Sequence, residues 1–362
     1  MKIKTITCHD VYNAGAGLQA YALVTYLRAL GHDAEIIHYK PDYLSGHYRL
    51  GGVNNPRYDK PLVRQAYLLA KLPGRLRSRL GLRKRRFDAF RKDCLPLTER
   101  YDSYEALAAA PPVADVYFAG SDQIWNTQFR NGRDPAFYLM FAPEGSVRAS
   151  YAASFAAPRA DAAWAAQQRE WIEGLDHVSV RESSGVTILR EMGIDKGQAV
   201  LDPVFLLPAE TWRELAAMPE EGAPYVLVYD FDGSGEIERA AKDLARKNDW
   251  QIRSLQRLPY ADHCDTTAGP REFLGLIAKA QCVLSNSFHA TAFSLIFQRP
   301  FLTFDRTENL NARMRDLLAL AGLEARGEAD EKIDWATVQA RLDEKIAASK
   351  AFIDEVLKGR RI

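Results

Sequence analysis

Short apolar runs alternate with longer amphipathic segments along most of the chain. The first run, KIKTIT, precedes AGLQAYALVTYLRALG, in which apolar residues recur at helical spacing, and AEIIHY follows. This pattern predicts a strand, a helix and a second strand, the usual beginning of a parallel α/β sheet. Gly31 and Pro41 are predicted to end the helix and the second strand.

The same alternation continues and then starts again after EEGAP. Predicted strands are ADVYFAG, HVSVRE, YVLVYDF, QIRSLQR and CVLSNS, and predicted helices are AAWAAQQREWIEGL, SGVTILREMG, GEIERAAKDLARKNDW, GPREFLGLIAKA and FHATAFSLIFQ. The chain is therefore predicted to be α/β, with two open sheets in series, in residues 1–206 and 222–330, joined around DPVFLLPAETW. A last amphipathic helix, 333–360, is expected to pack near the domain junction.

A strongly basic segment, residues 57–92, separates the first βαβ unit from ADVYFAG. Its only acidic residues are Asp59 and Asp88, and leucines recur there at every fourth position from Leu68 to Leu80. Such a segment is either a peripheral contact with an anionic membrane or a helical insertion that packs its leucines on the domain. No aromatic residues interleave with its charges in a nucleic-acid-binding pattern, so no nucleic-acid partner is predicted.

Composition sets limits on the classes of protein that fit. The chain has 362 residues, a formal net charge of +1 and 47% hydrophobic residues, which suffices for two cores and does not suit a polyelectrolyte binder. MKIKTITCHD lacks the apolar core of a signal peptide, and no window approaches the roughly 20 apolar residues of a membrane span. We therefore expect a cytoplasmic protein. The four cysteines are scattered and predict neither disulfides nor a zinc site.

In the first half of the chain, polar residues follow two predicted strands. Ligands of open α/β sheets bind at the carboxyl ends of the strands. In TCHDVYNAGAGLQA, the backbone around Asn13, Gly15 and Gly17 is a candidate anion site at a helix N-terminus, although a tight turn alone also favours glycine. In FAGSDQIWN, the candidates are a cluster after Gly120: Ser121, Asp122, Gln123 and Asn126. Asp122 is either a proton acceptor for a sugar hydroxyl or a helix cap.

Two further strand ends carry groups suited to anions and proton transfer. Arg181 ends HVSVRE, and it suits a carboxylate or phosphate, or else forms a surface salt bridge with Glu182 or Asp176. His289 lies at the first turn of an apolar helix, just after Ser285, Asn286 and Ser287. We interpret His289 as an acid/base, and Ser285, Asn286 and Ser287 as hydrogen-bond donors to a substrate. The alternative is that His289 is a buried core histidine.

Two acidic motifs resemble metal sites. Asp230 and Asp232 have the D-x-D spacing, but the glycines that follow favour a turn and a helix cap, and DHCD at 262–265 lacks a second cluster. No metal is predicted.

Several motifs together resemble the polysaccharide pyruvyl transferase family. They are NAGAGLQAYAL, AGSDQIWN, SVRESSGVTILREMG, VLDPVFLL and GPREFLGLIAKAQCVLSNSFHATAFSLIFQRPF, and their order covers most of residues 1–325. The resemblance implies a GT-B-like fold, in which two Rossmann-like domains face a cleft. It also implies transfer of pyruvate from phosphoenolpyruvate to two sugar hydroxyls, forming a ketal. Phosphoenolpyruvate is then a co-substrate, and no cofactor is implied.

The resemblance also implies roles for individual residues. His289 matches the histidine of the family and would be the acid/base, and Arg181 would contact the carboxylate or phosphate of the donor. The N-terminal domain would be the acceptor side and the C-terminal domain the donor side. Asp122 and Asn126 would thus face a saccharide acceptor, either a glycan or a lipid-linked precursor at the inner membrane face.

One position departs from the family pattern. Many members carry an arginine two residues before the histidine, whereas this chain has Ser287. The arginines available to replace it are Arg181, Arg271, Arg299 and Arg313, and the sequence does not choose among them. Two alternative functions therefore stay open: a GT-B glycosyltransferase with a nucleotide-sugar donor, and a non-catalytic glycan-binding relative.

Overall fold

The structure, a computed structural model, describes residues 1–44, 65, 80–306, 312–323 and 332–359. Most of the basic segment, including Leu68, Leu72 and Leu76 of its leucine pattern, lies outside these residues. Among the described residues, no helix is long and apolar enough to cross a membrane.

The first half of the chain forms a parallel sheet with strand order β3-β2-β1-β4-β5. Its strands are β1 (Lys2–Ile6), β2 (Asp33–Tyr39), β3 (Leu97–Tyr101), β4 (Val116–Ala119) and β5 (Val147–Ser150). Two short strands, β6 (Val178–Val180) and β7 (Gly197–Ala199), pair with each other, and single bridges from Ala149 and Ala153 connect them to the region of β5. β1 and β4 are buried along most of their length, as expected for strands covered on both faces.

The second half repeats the same topology. Its parallel sheet has the order β10-β9-β8-β11-β12. The strands are β8 (Tyr225–Tyr229), β9 (Gln251–Ser254), β10 (His263–Cys264), β11 (Cys282–Ser285) and β12 (Phe301–Thr303). In each sheet the order reverses at the first strand, which creates a crevice at the carboxyl ends where ligands bind in such folds.

Helices connect and cover the strands. They are α1 (Ala14–Ala29), α2 (Leu82–Cys94), α3 (Tyr104–Ala109), α4 (Ala165–Glu173), α5 (Ser183–Glu191), α6 (Ala209–Leu215), α7 (Gly235–Asn248), α8 (Pro270–Lys279), α9 (Phe288–Ile296), α10 (Ala312–Ala321) and α11 (Trp335–Lys358). A short 3-10 helix, Pro203–Leu206, lies between β7 and α6, where the sequence indicates the domain junction.

One hydrophobic core spans the junction. It includes Ile3 and Val116 of the first sheet, Leu227 and Val283 of the second sheet, and Ile353 of α11. Since apolar residues of both domains are removed from water in this single cluster, its burial stabilises the two domains against each other.

The C-terminal helix α11 returns to the N-terminal domain. Ser349 accepts a hydrogen bond from the backbone N–H of Leu201 at 2.9 Å. The ring of Phe352 lies 6.3 Å from the ring of Tyr151 and 6.4 Å from that of His177, measured between centroids. The helix is thus placed near the domain junction.

The described end of the basic segment, in α2, also lies at the junction. Arg86 pairs with Glu272 of the second domain at 2.9 Å and donates to the carbonyl of Thr267 at 3.1 Å. Arg83 donates to the carbonyl oxygen of Tyr12 at 3.0 Å. Phe87 and Phe90 are the buried residues of this helix. This part of the segment therefore packs on the protein, which agrees with a helical insertion.

Candidate functional site

His289 lies where the carboxyl ends of the two sheets face each other. It is in the first turn of α9, directly after β11, and Ser287 caps this helix by accepting a hydrogen bond from the backbone N–H of Ala290 at 3.4 Å. The His289 side chain is 12% exposed. It is therefore neither a fully buried core residue nor a surface residue.

The imidazole of His289 packs directly on α1 of the other domain. A Cβ atom at Gly15 would lie 2.1 Å from Nδ1 of His289, so this position requires glycine. The signal for Gly15 in the sequence was a glycine-containing loop, which we interpreted as an anion site or a tight turn. The structure shows that this glycine permits a close approach between the domains.

Asp202 is the partner of His289 that the sequence analysis missed. Its fully buried side chain places Oδ2 3.7 Å from Nε2 of His289 and 2.7 Å from a terminal nitrogen of Arg181. Burial alone would raise the pKa of this carboxyl, but His289 and Arg181 hold the pKa well below its usual range. Asp202 belongs to VLDPVFLL, where the only signal was an aspartate before proline at a helix start.

Arg181 is buried in an ion-pair network rather than on the surface. Its second terminal nitrogen lies 3.3 Å from Oδ1 of Asp122, and its side chain is 1% exposed. Burial would lower the pKa of Arg181, whereas Asp202 and Asp122 raise it and keep the guanidinium charged. The alternative of a surface salt bridge with Glu182 or Asp176 is wrong, because the strand end points into the protein.

Asp122 reaches the site from the loop after β4. It has a φ of 75°, an unusual conformation for a residue other than glycine, and its backbone carbonyl accepts hydrogen bonds from the N–H groups of Ile124 and Ser154. No α-helix begins there, so the alternative role as a helix cap is wrong. The Asp122 side chain is 19% exposed, which leaves its carboxylate open to solvent in part.

Gln123 contacts an arginine that arrives from α10. When its amide is oriented with the oxygen towards Arg313, that oxygen lies 2.9 and 3.2 Å from the two terminal nitrogens of Arg313. Burial first, and the charge of Arg181 second, lower the pKa of Arg313 to about 10. Arg313 was one of four arginines that the sequence analysis could not rank.

Three residues predicted to contact substrate instead direct their polar groups to other parts of the protein. Ser121 is fully buried, donates to the carbonyl of Ala152 at 2.7 Å and lies 3.4 Å from Asp202. Asn126 is 2% exposed, and its side-chain oxygen accepts from the N–H of Gln128. The prediction that Ser121 and Asn126 contact substrate is therefore wrong: both shape the loop after β4. Gly17 packs against Phe90, and its N–H donates to the carbonyl of Asn13, so it offers no group to an anion.

The residues before His289 likewise fix the backbone. Ser285 donates to the carbonyl of Tyr229 and accepts from the N–H of Ser287. Asn286 is 1% exposed; it donates to Asp230 at 2.9 Å and accepts from the N–H of Phe231 at 3.0 Å. The prediction that Ser285 and Asn286 donate to a substrate is therefore wrong: both are positioning residues. Asn13, by contrast, is exposed, and its side chain caps α1 through the N–H of Ala16.

The D-x-D motif forms the predicted turn. The carboxylate of Asp230 accepts hydrogen bonds from the backbone N–H groups of Asp232, Gly233 and Ser234, and Ser234 caps α7. Within the described residues no group of three or more His, Cys, Asp or Glu side chains is placed to hold a metal ion.

Known structures resemble this fold at low sequence identity. An S. aureus MnaA–UDP co-structure matches with a TM-score of 0.50 and 10% identity, over 98% of this chain and 95% of that chain. UDP-GlcNAc 2-epimerase from Neisseria meningitidis, bound to UDP-GlcNAc, matches at 0.47 and 12%, over 98% and 94%. The glycosyltransferase SsfS6 from Streptomyces sp. SF2575 matches at 0.38 and 14%, over 99% and 96%. The similarity to the first of these structures, at 10% identity, supports the fold alone: two Rossmann-like domains in the GT-B arrangement.

Sequence comparison identifies the family. No curated protein sequence matches the chain at a significant level. The family described as polysaccharide pyruvyl transferase matches residues 13–308, which include α1, the Asp122 loop, Arg181, Asp202 and His289. The chain belongs to the polysaccharide pyruvyl transferase family, a family of transferases.

Proposed function

We propose that this protein transfers pyruvate from phosphoenolpyruvate to two hydroxyls of one saccharide acceptor, a glycan or a lipid-linked glycan precursor, and forms a cyclic ketal. The observation that carries this proposal is the contact of His289 with Asp202 and of Asp202 with Arg181, at the facing ends of both sheets. Phosphoenolpyruvate is the co-substrate, and the reaction as written requires no cofactor.

The reaction needs proton transfer at several stages. A proton adds to the methylene carbon of the enol phosphate, and the adjacent carbon becomes oxocarbenium-like. The first hydroxyl attacks that carbon and loses its proton, the carbon–oxygen bond to phosphate breaks, and the second hydroxyl closes the ketal and loses its proton. Of the two protons released, one balances the proton added to carbon and the other leaves with phosphate.

His289 is assigned to these proton transfers. An imidazole can donate in one step and accept in the next. The carboxylate of Asp202 lies 3.7 Å from Nε2 of His289, close enough to attract a positive charge on the ring during proton transfer. Gly15 holds the opposite side of the ring, at Nδ1. Asp202 is thus a positioning residue and His289 the catalytic residue.

The remaining roles follow from charge and exposure. Asp122, on the N-terminal domain and partly exposed, is assigned to the acceptor hydroxyl as a second base. Arg181 provides positive charge next to it and is assigned to the anionic donor. Asn13, exposed at the start of α1 and predicted as part of an anion site, is assigned to substrate binding.

We further propose that the basic segment brings the cleft to an anionic membrane at the cytoplasmic face, where lipid-linked acceptors would be bound. Arg83 and Arg86 have partners within the protein, and Lys84 pairs with Asp88. Membrane contact would therefore fall to exposed Arg85 and to basic residues at 57–79. Sedimentation with phosphatidylserine vesicles should weaken when Arg75, Arg77, Arg79 and Arg85 are replaced by glutamine, and unchanged sedimentation would contradict this role.

The central proposal is tested by ligand binding and turnover. We expect phosphoenolpyruvate at about 100 times its dissociation constant to stabilise the protein by roughly 2.7 kcal/mol in thermal unfolding. With a mixture of glycan acceptors, His289→Asn should reduce phosphate release from phosphoenolpyruvate by about 10²- to 10⁴-fold. His263→Asn, an exposed histidine on β10, is the matched control and should have no effect.

Two outcomes would replace the proposal. Stabilisation by nucleotide-sugars alone would indicate a GT-B glycosyltransferase. Binding of glycans without any turnover, in both wild type and His289→Asn, would indicate a non-catalytic glycan-binding relative.

A further inference from the structure

Ser287 lies two residues before His289, at the position where the family resemblance implies an arginine. In the structure Ser287 is 9% exposed, and its hydroxyl caps α9. A neutral cap cannot balance the charge of a phosphate. A donor with two anionic groups therefore needs a cation from elsewhere in the chain.

Two of the four candidate arginines are placed away from His289. Arg299 follows the C-terminal end of α9, whereas His289 is in the first turn, and the helix from His289 to Ile296 spans roughly 10 Å. Arg271 lies in the first turn of α8 and donates to Sγ of Cys94 at 3.3 Å. Among the described residues, no hydrogen bond or ion pair joins either arginine to the first turn of α9.

Arg313 is directly beside that turn. The ring of Phe288, the residue before His289, lies 4.8 Å from the guanidinium carbon of Arg181 and 6.0 Å from that of Arg313. Arg313 is 7% exposed, and its Nε has no hydrogen-bond acceptor among the described residues. The same is true of Nε of Arg181. Two buried guanidinium groups on one ring thus each keep a donor unused.

The electrostatics of the pair favour an added anion. Burial first, and the charge of Arg181 second, lower the pKa of Arg313 to about 10, which means that the charged form of Arg313 is less stable here than in water. A dianion between the two guanidinium groups would remove that penalty, and charge-assisted hydrogen bonds to arginine are the strong ones in proteins.

We propose that Arg313 replaces the arginine missing at position 287 and, with Arg181 and the first-turn N–H groups of α9, binds the phosphate group of phosphoenolpyruvate. This inference rests on the proposed function, since it names the residue that completes the donor site. The N-terminus of α9 offers unpaired N–H groups and a positive dipole, and the arginines supply the charge that Ser287 does not.

The position of Arg313 depends on a contact between domains. Asp316, three residues later on α10, accepts hydrogen bonds from the backbone N–H and the hydroxyl of Ser183 at 2.6 and 2.8 Å. Ser183 opens α5, directly after Glu182 and Arg181. Asp316 is therefore a positioning residue that keeps both arginines beside the same ring.

The test is a comparison of binding constants for Arg313→Gln and wild type. Titration calorimetry with phosphoenolpyruvate, inorganic phosphate and pyruvate separates the phosphate group from the carboxylate. We expect Arg313→Gln to weaken binding of phosphoenolpyruvate and of phosphate by about 10- to 100-fold, the range for a lost hydrogen bond to a charged group. Binding of pyruvate should change by less than about twofold.

Arg315→Gln is the matched control, because Arg315 lies on the same helix and is 68% exposed, and we expect unchanged binding. If Arg313→Gln does not fold, Arg313→Lys serves instead. Lysine keeps the charge but loses the planar fork, so phosphate binding should still weaken several-fold.

Three results are decisive against one claim or the other. Unchanged phosphate binding in the Arg313 variants would overturn the inference. Equal weakening for pyruvate would show that Arg313 binds the carboxylate and would overturn the assignment to phosphate. If wild type neither binds phosphoenolpyruvate nor releases phosphate from it, the proposed function itself is wrong.

Discussion

At the scale of single residues, Asp202 is the centre of the charge network. It contacts His289, Arg181 and Ser121, which come from three separate parts of the chain. Without the charge of Asp202, the buried guanidinium of Arg181 would keep the ion pair with Asp122 at 3.3 Å. A carboxylate that neutralises a buried arginine and also lies beside the proposed catalytic imidazole couples the stability of the site to its chemistry.

We therefore predict a pH-dependent cost for Asp202→Asn. The pKa of Asp202 is depressed in the folded protein, so its ionised form stabilises the fold above the unfolded pKa of about 3.9, and this stabilisation is lost as the pH falls towards the folded pKa. The variant should lose about 3 to 5 kcal/mol of unfolding free energy at neutral pH, and less below about pH 4. Denaturant unfolding across this pH range measures the effect.

Asp195→Asn, at an exposed position, is the control for this prediction. A loss of unfolding free energy in Asp202→Asn that does not depend on pH would contradict it.

The individual residues also show what a sequence can reveal. His289 was recognisable because a polar group interrupted two apolar elements. Asp202 was not, because its partners are more than 20 residues away in either direction and its neighbours are apolar. Ser121, Asn126, Ser285 and Asn286 were polar residues at strand ends, and the sequence does not distinguish a residue that touches a ligand from one that fixes a loop.

At the scale of elements, the first turn of α1 determines where the imidazole of α9 lies. The two helices belong to different domains, and the contact is made through the Cα of Gly15. The sequence predicts Gly15 at a helix start but not why glycine is required there. The ring that approaches it belongs to His289, 274 residues away in the chain.

We predict that Gly15→Ala impairs turnover more than folding. A Cβ at this position would lie 2.1 Å from Nδ1 of His289, so the ring must move, and a displacement of about 1 Å can reduce turnover by about 10²-fold. The measurement is phosphate release together with thermal unfolding. Gly235→Ala is the control, since no atom lies within 4 Å of its added Cβ. Full activity in Gly15→Ala would show that the ring is not held at this contact.

At the scale of the whole molecule, periodicity alone predicts two α/β sheets in series and the final helix. It did not predict that one core spans both sheets, because strand and helix patterns show which faces are apolar but not which domain covers them. The interdomain pairing of Arg86 with Glu272 was hidden for the same reason, within a segment that reads as uniformly basic.

We predict that the domains unfold together. Phe352 of α11 is 4% exposed and packs on Tyr151 and His177 of the first domain, so Phe352→Ala should cost about 3 to 5 kcal/mol. The expected result is one denaturant transition at a lower midpoint, with coincident fluorescence and circular dichroism curves. Phe129→Ala, at a position that is 53% exposed, should leave the midpoint unchanged. Two separated transitions in wild type would contradict the shared core.

The contact between His289 and Gly15 has one more consequence. The ring belongs to one domain and the surface it rests on belongs to the other, so any change in the angle between the domains alters the surroundings of a single pair of ring nitrogens. Imidazole ¹⁵N resonances are sensitive to such surroundings. In protein labelled with ¹⁵N-histidine, the signal of His289 therefore serves as a native spectroscopic gauge of cleft opening, without any attached probe.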